Sequence, residues 1–162
     1  MQGLADVFQI LEITFESPAA AELNEKIFES IYYGSVSESI SIAKKQGAYP
    51  TFQGSPASQG KLQFDLWNYT PKLGGYDWDT VKRDLAQYGM RNSLLLAPMP
   101  TASTSQILGN NETFEPYTAN VYTRRVLAGE FVCINKNLVE YLIKKVPLCL
   151  VRTCGHPRSG RS

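Results

Sequence analysis

The chain has 162 residues, of which 43% are hydrophobic and 19% charged, and its formal net charge is +1. A chain of this length is expected to form one domain that buries about two-thirds of its unfolded surface, which excludes disorder and a small disulfide scaffold. The near-neutral charge provides no electrostatic field for nucleic-acid binding. The charge is uneven, because residues 1–144 carry a net charge of −3 and the remaining residues carry +4. The body and the tail therefore look like different kinds of sequence.

The cysteines and the start of the chain indicate a cytoplasmic protein. Three cysteines form no disulfide framework, so we expect free thiols in a reducing compartment. No run of about 18 apolar residues spans a membrane, and no basic leader precedes an apolar run. The first residues already have the pattern of a helix interior, and we expect the chain to begin within a larger protein.

Two helices are predicted first. Residues 3–13 have an amphipathic helical pattern, and Ser17 with Pro18 provides the N-cap and first turn of a second helix that Gly47 ends. Residues 48–75 are rich in Gly, Pro, Ser, Gln and aromatics. They predict an ordered loop with at most short strands, which Trp67 and Trp78 anchor to the core.

Two further helices are predicted from their caps. Asp77 or Asp79 caps a short helix that runs to Tyr88 and stops at Gly89. Further along, residues 121–134 contain two apolar stretches around a glycine, and Asn135 or Asn137 caps a last helix.

The apolar run at residues 93–97 predicts a strand buried on both faces in a parallel sheet. Two X-Pro steps follow it and favour extended backbone over the alternative, a short buried helix. Leu94 and Leu96 should lie on one face and Leu95 on the other, since strand side chains alternate. Helix, strand, turn and helix in succession predict an α/β fold with crossovers.

A hydroxyl-rich turn follows this predicted strand and precedes a helix predicted from Ser105 to Leu108. Hydroxyl side chains and free N–H groups converge at a helix start, where the helix dipole favours a phosphate or carboxylate. The alternative is that these side chains only cap the helix. The sequence contains neither a nucleoside-triphosphate loop nor a dinucleotide fingerprint. The candidate phosphate-binding residues are Thr101, Ala102, Ser103, Thr104 and Ser105.

Residues 78–112 closely resemble the signature region of the large subunit of class I ribonucleoside-diphosphate reductase. The family places Leu or Phe three residues after the tryptophan, where this chain has the similar Val81. Residues 2–6, 27–33, 53–58 and 122–131 also look like that subunit. The resemblance covers residues 2–144.

The resemblance implies that residues 2–144 are part of the barrel domain of that subunit, a segment of a ten-stranded α/β barrel with long amino-terminal helices. It implies reduction of ribonucleoside diphosphates to deoxyribonucleoside diphosphates in a thioredoxin-dependent reaction. The turn at 101–105 would then bind the substrate diphosphate through the side chains of Thr101, Ser103 and Thr104 and the N–H groups of Ala102 and Ser105.

The partners implied by the resemblance lie outside this chain. The family uses a radical from a metal-containing small subunit, a second large subunit, and ATP or dATP effectors at sites that this segment lacks. We therefore expect the segment itself to bind no cofactor, metal, nucleic acid or membrane. The family's radical cysteine with its Asn and Glu, its redox cysteines and its relay tyrosines match nothing here, so the chain alone should hold no catalytic residue and be inactive. Cys133 is predicted to be a buried thiol.

Residues 145–162 resemble neither the family nor a folded element, and we interpret them as an aberrant or disordered tail, such as a misread frame. Cys149, Cys154 and His156 are one ligand short of a structural zinc site. The alternative function for the whole chain is a non-catalytic phosphate-binding or interaction domain. A barrel segment should leave strand edges and apolar surface exposed, whereas a self-sufficient domain should bury both.

Overall fold

The computed structural model describes residues 1–71 and 75–145. The chain divides into two compact units: one combines Met1–Phe15 with the chain from Pro100 onward, and the other is Glu16–Met99. We call them the terminal unit and the middle unit. Within the described residues, no helix combines the length and apolar character needed to cross a membrane.

The middle unit is helical. Its helical elements are α2 (Pro18–Gln46), a 3-10 turn (Ala57–Gln59), α3 (Gln63–Leu66) and α4 (Trp78–Tyr88). The loop predicted over residues 48–75 thus contains two short helical turns and, where it is described, no strand.

Local caps set the ends of α2 and α4 as predicted. The Ser17 hydroxyl accepts a 3.2 Å hydrogen bond from the Ala20 N–H at the start of α2. A carboxylate oxygen of Asp77 accepts a 2.9 Å bond from the Thr80 N–H at the start of α4. Gly89 ends α4 with φ of 72°, and a Cβ at this position would lie 2.7 Å from the Ala48 methyl. Only glycine meets both requirements.

The core of the middle unit forms where α2 and α4 face the loop between them. Trp78 packs edge-on against Phe64 with ring centroids 4.8 Å apart. Its indole N–H donates to the Glu29 carboxylate at 3.0 Å. Trp67, in contrast, is 70% exposed, so the prediction that it anchors the loop was wrong. The buried core residues are Val36, Ile40, Phe52, Leu62, Phe64, Val81, Leu85 and Met90.

The predicted strand at residues 93–97 is not formed. These residues are neither strand nor helix, and their backbone makes no hydrogen bond to a described residue. Leu94 is 89% exposed and Leu96 is 45% exposed, while Leu95 packs against the core. The run was predicted to be buried by parallel neighbours, and no strand of the described residues lies beside it.

The terminal unit combines short helices with a hairpin. Its elements are α1 (Leu4–Ile10), α5 (Ala102–Leu108), β1 (Val121–Val126), β2 (Gly129–Ile134) and α6 (Lys136–Lys145). The two strands pair antiparallel from Val121 opposite Ile134 to Val126 opposite Gly129. The first helix is only 7 residues long, because Glu12 adopts a left-handed φ of 56° just beyond it, whereas α2 has 29 residues. The expectation of long amino-terminal helices is therefore not confirmed.

The start of the last helix confirms a predicted cap. The side-chain oxygen of Asn135 accepts a 3.2 Å bond from the Leu138 N–H, which confirms Asn135 as the cap. Lys145 belongs to α6, and its ammonium lies 3.4 Å from the Glu12 carboxylate. The predicted tail therefore starts one residue too early, and the remainder of that prediction falls on residues 146–162, outside the described residues.

The predicted parallel sheet of an α/β barrel is not present in the described residues. The described residues contain one two-stranded antiparallel sheet and no closed barrel or parallel crossover. A barrel is closed by pairing every strand with two neighbours, which requires more strands than this stretch of chain contributes. The mixed helix and strand content remains that of an α/β segment.

Candidate functional site

The hydroxyl-rich turn forms the start of α5. Thr101 is the N-cap, and the helix starts at Ala102, three residues earlier than predicted. The Ser105 N–H donates to the Thr101 carbonyl at 2.9 Å and closes the first helical turn. Gly109 ends the helix in the left-handed conformation, as predicted.

Three backbone donors at this helix start have no acceptor among the described residues. They belong to Ala102, Ser103 and Thr104, the first three residues of α5. A helix leaves its first N–H groups without an intrahelical acceptor, so they are available for a ligand or for water. Because the Ser105 N–H is bonded within the helix, the predicted pair of N–H donors at Ala102 and Ser105 is replaced by a contiguous set of three.

The side chains of the turn divide into an inner and an outer group. Thr101 and Ser105 are buried, with 7% and 1% of their surface exposed, whereas Ala102, Ser103 and Thr104 are exposed. The Ser103 hydroxyl has no hydrogen-bond partner in the described part of the chain, whereas the Thr104 hydroxyl donates to the side-chain oxygen of Gln2 at 3.0 Å. The outer group therefore presents the Ser103 hydroxyl as a free donor beside the three N–H groups.

The inner group is held by the segment of residues 111–113. The Thr101 hydroxyl oxygen accepts a 2.9 Å hydrogen bond from the Thr113 N–H in a buried position. Thr113 is β-branched yet has a left-handed φ of 43°, a conformation that costs about 1–3 kcal/mol and persists only where surrounding contacts hold it.

A buried carboxylate organises the same region. Asp6, 9% exposed in α1, accepts bonds from the Asn111 N–H at 2.7 Å, the Tyr117 hydroxyl at 2.6 Å and the Asn137 side-chain amide at 2.8 Å. Burial, followed by the hydrogen bond to Asp6, raises the pKa of the Tyr117 phenol well above its usual value. The phenol therefore stays protonated and donates to the carboxylate.

Sequence reasoning missed this carboxylate and its three donors. Asp6 is the one charged residue of α1 and lies among its buried apolar residues, and a charge on a buried helix face is a local signal of a paired group. Its partners are 105 to 131 positions away along the chain, a separation at which sequence pattern carries no information.

The middle unit contains a separate cavity of about 690 Å³. Most of its lining residues are apolar or aromatic, among them Tyr32, Tyr49, Phe64 and Trp67, and Lys61 also lines it. We assign no reaction to this cavity.

Metal and thiol chemistry find no support in the described part of the chain. No group of three His, Cys, Asp or Glu side chains there could hold a metal ion. Cys133 is a free thiol on β2, as expected, but it is only half-buried, so the prediction of a buried thiol was wrong. The weak zinc candidate of Cys149, Cys154 and His156 lies outside the described residues.

Comparison with known proteins assigns residues 1–147 to the family model described as ribonucleotide reductase, barrel domain. The ribonucleoside-diphosphate reductase large chain of Neurospora crassa is 58% identical over 144 residues, which cover 89% of this chain and 15% of that protein. The large subunit of Plasmodium falciparum is 56% identical over 90% of this chain and 18% of its own length. Large chain 2 of Saccharomyces cerevisiae is 54% identical, with coverages of 88% and 16%. The chain thus spans less than a fifth of these relatives.

Proposed function

The chain belongs to the ribonucleotide reductase barrel-domain family, and from that premise we propose that it forms part of the large subunit of a ribonucleoside-diphosphate reductase. Within that subunit, the turn at residues 101–105 binds the diphosphate of the ribonucleoside substrate. The turn breaks no bond itself. It contributes by holding the sugar in a fixed orientation toward a radical formed elsewhere in the protein.

The observation that carries the proposal is the set of free donors at the start of α5. The N–H groups of Ala102, Ser103 and Thr104 and the Ser103 hydroxyl form a compact row of free donors on the exposed side of the turn. A diphosphate carries several anionic oxygens, and hydrogen bonds to charged oxygens are about twice as strong as neutral ones. Thr101 and Ser105 serve the same turn from inside, by fixing its conformation.

The exposed apolar side chains favour a segment of a larger protein over a free-standing binding domain. Leu94, Ile107 and Leu127 are 89%, 82% and 111% exposed, and both strands of the hairpin are largely exposed. A self-sufficient domain buries such groups, because exposed apolar surface costs about 25 cal/mol per Å². This surface supports the reductase proposal against the alternative of an independent phosphate-binding module.

The remaining parts of the proposed enzyme are partners of this segment. They are a small subunit that supplies the radical from its metal centre, a second large subunit, a thioredoxin-type reductant, and ATP or dATP effectors that bind elsewhere for allosteric control. The segment itself binds none of these cofactors. A cytoplasmic location fits the thiol chemistry, since the reduction needs a compartment that keeps cysteines reduced.

The 162-residue chain by itself is expected to be inactive. It contains no residue that matches the family's radical cysteine or redox cysteines, so it cannot carry out the reduction. Incubation with a small subunit, a thiol reductant and a radiolabelled ribonucleoside diphosphate should yield no deoxyribonucleotide. Turnover above the background of a heat-denatured sample would show that the proposed division between this segment and the rest of the subunit is wrong.

The diphosphate role is tested in a full-length large subunit whose matching segment is replaced by residues 1–145 of this chain, with the Saccharomyces cerevisiae protein as host. In this chimera, Ser103→Ala removes one hydroxyl donor to a charged oxygen, a loss of about 1.5–3 kcal/mol, so KM for the diphosphate should rise about 10- to 150-fold. Ser35→Ala, an equivalent substitution in α2 outside the turn, is the control and should leave KM unchanged. An unchanged KM in the Ser103 variant would remove the phosphate role.

A further inference from the structure

We propose that Asp6 is a positioning residue for the diphosphate turn: its buried carboxylate fixes residues 111–113, and that segment fixes Thr101 at the start of α5. This inference rests on the proposed function. The carboxylate itself does not touch substrate, because all three of its hydrogen-bond donors come from the protein and only 9% of the residue is exposed.

The first step of the coupling runs from Asp6 to Asn111. One carboxylate oxygen accepts the Asn111 backbone N–H at 2.7 Å, while the other accepts the Tyr117 hydroxyl and the Asn137 amide. Both oxygens are therefore occupied, and the carboxylate cannot rotate without breaking a bond to a charged acceptor. Such bonds are short and strong, so the position of residue 111 is tied to α1.

The second step holds the segment along its length. The Gly3 N–H donates to the Asn111 carbonyl at 3.0 Å, and the Leu4 N–H donates to the Thr113 carbonyl at 3.5 Å. These contacts offset the energetic cost of the left-handed conformation of Thr113, which is disfavoured for a β-branched residue. The buried hydroxyl of Thr113 does not contribute, because its oxygen has no hydrogen-bond partner in the described residues. Without the carboxylate, only these two backbone contacts tie the segment to the start of α1 in the described residues, and Thr113 can relax toward an ordinary φ.

The third step reaches the turn. The Thr113 N–H donates to the Thr101 hydroxyl in a buried position, so a relaxation of Thr113 removes the bond that orients the N-cap of α5. The free N–H groups follow Thr101 directly. Because hydrogen bonds to a charged oxygen depend on donor position, a displacement of these N–H groups weakens their bonds to the diphosphate and lowers its affinity.

The experiment measures KM and kcat in the chimeric holoenzyme described above for Asp6→Asn. The variant keeps the shape of the side chain but places an amide where acceptors are needed. We expect KM for the ribonucleoside diphosphate to rise at least about tenfold with a much smaller change in kcat. Asp84→Asn is the matched control, since Asp84 makes an exposed ion pair with Lys44 in the middle unit. It should leave both parameters unchanged.

A rescue separates positioning from a general loss of stability. Thr113→Gly removes the conformational penalty of a positive φ without removing a hydrogen bond from the side chain, so combined with Asp6→Asn it should restore a large part of the lost affinity. A folding defect alone would not be repaired this way. If Asp6→Asn does not fold, Asn137→Ala removes one donor and leaves the carboxylate in place, and it should raise KM by a smaller factor with the same rescue.

The outcomes distinguish the two proposals. If Ser103→Ala raises KM and Asp6→Asn does not, the diphosphate role stands and the positioning role is wrong. If neither variant changes KM, the diphosphate role fails and the positioning role fails with it. If Asp6→Asn lowers kcat and thermal stability without a change in KM, or if Thr113→Gly brings no recovery, Asp6 is a structural residue only.

Discussion

Substituting alanine for two leucines, Leu85 and Leu94, tests which part of the middle unit forms its core. Leu85 on α4 is fully buried, with 0% of its surface exposed, whereas Leu94 is 89% exposed. The sequence pattern instead predicts that Leu94 is buried and that its truncation is costly, because it places this residue inside a buried strand. The same change at the two positions therefore separates the structure from the sequence-based expectation.

The expected magnitudes follow from burial. Leu85→Ala deletes three carbons from a closed core, at about 0.8 kcal/mol each in transfer energy, and the cavity that remains raises the loss to roughly 3–4 kcal/mol. Leu94→Ala deletes the same atoms from a side chain already in water, so the loss should stay below about 0.5 kcal/mol. With a urea m-value of about 1.5 kcal/mol per M, the first variant should lower the midpoint by roughly 2 M.

Tryptophan fluorescence during urea unfolding of the 162-residue chain provides the assay. Both tryptophans of the sequence, Trp67 and Trp78, lie in the middle unit, so the signal reports on the unit that contains both substitutions. Trp78 contacts the core directly through Phe64. Equal losses for the two variants, or a larger loss for Leu94→Ala, would refute the description of residues 93–97 as exposed irregular chain.

Two further predictions concern the terminal unit. Tyr117 has a raised pKa in the folded state, so its contribution to stability is complete below about pH 10, the pKa of an unfolded tyrosine, and is lost as the pH rises through the folded pKa. Tyr117→Phe should flatten the fall in melting temperature above pH 10, and an unchanged alkaline slope would contradict the hydrogen bond to Asp6. Asn135→Ala removes the acceptor of the Leu138 N–H and should cost about 1 kcal/mol, measured as faster amide hydrogen exchange in α6. Protection equal to that of the unchanged chain would mean that Asn135 does not cap the helix.

Helix ends were the part of this fold that sequence reasoning predicted best. Ser17, Asp77 and Asn135 cap helices as expected, and Gly89 and Gly109 end them. A cap is made by one side chain and a backbone group three positions away, and a glycine terminates a helix through its own φ. Both effects are local, so residue type and spacing are sufficient to predict them.

The sequence also predicted that the turn at 101–105 lies at a helix start, but it did not predict the geometry of the turn. Residue types identified a set of donors at a helix start and, through the resemblance, a family. Two features of the structure decide which of these donors face outward. The Thr113 N–H donates to the Thr101 hydroxyl, and the helix starts at Ala102. Those contacts arise only when the 111–113 segment folds against α1.

Only the tertiary structure decided whether the apolar run at 93–97 forms a strand and which groups Asp6 contacts. A run of leucines indicates that burial is favourable, but a strand is buried only when neighbouring strands cover it. Those neighbours are fixed by hydrogen bonds to residues distant in the chain. The hydrogen bonds of Asp6 likewise come from donors 105 or more positions away along the chain. The sequence determined local conformation because backbone hydrogen bonds and φ preferences act over three or four residues. The pairing of distant groups depends on how the whole chain closes on itself.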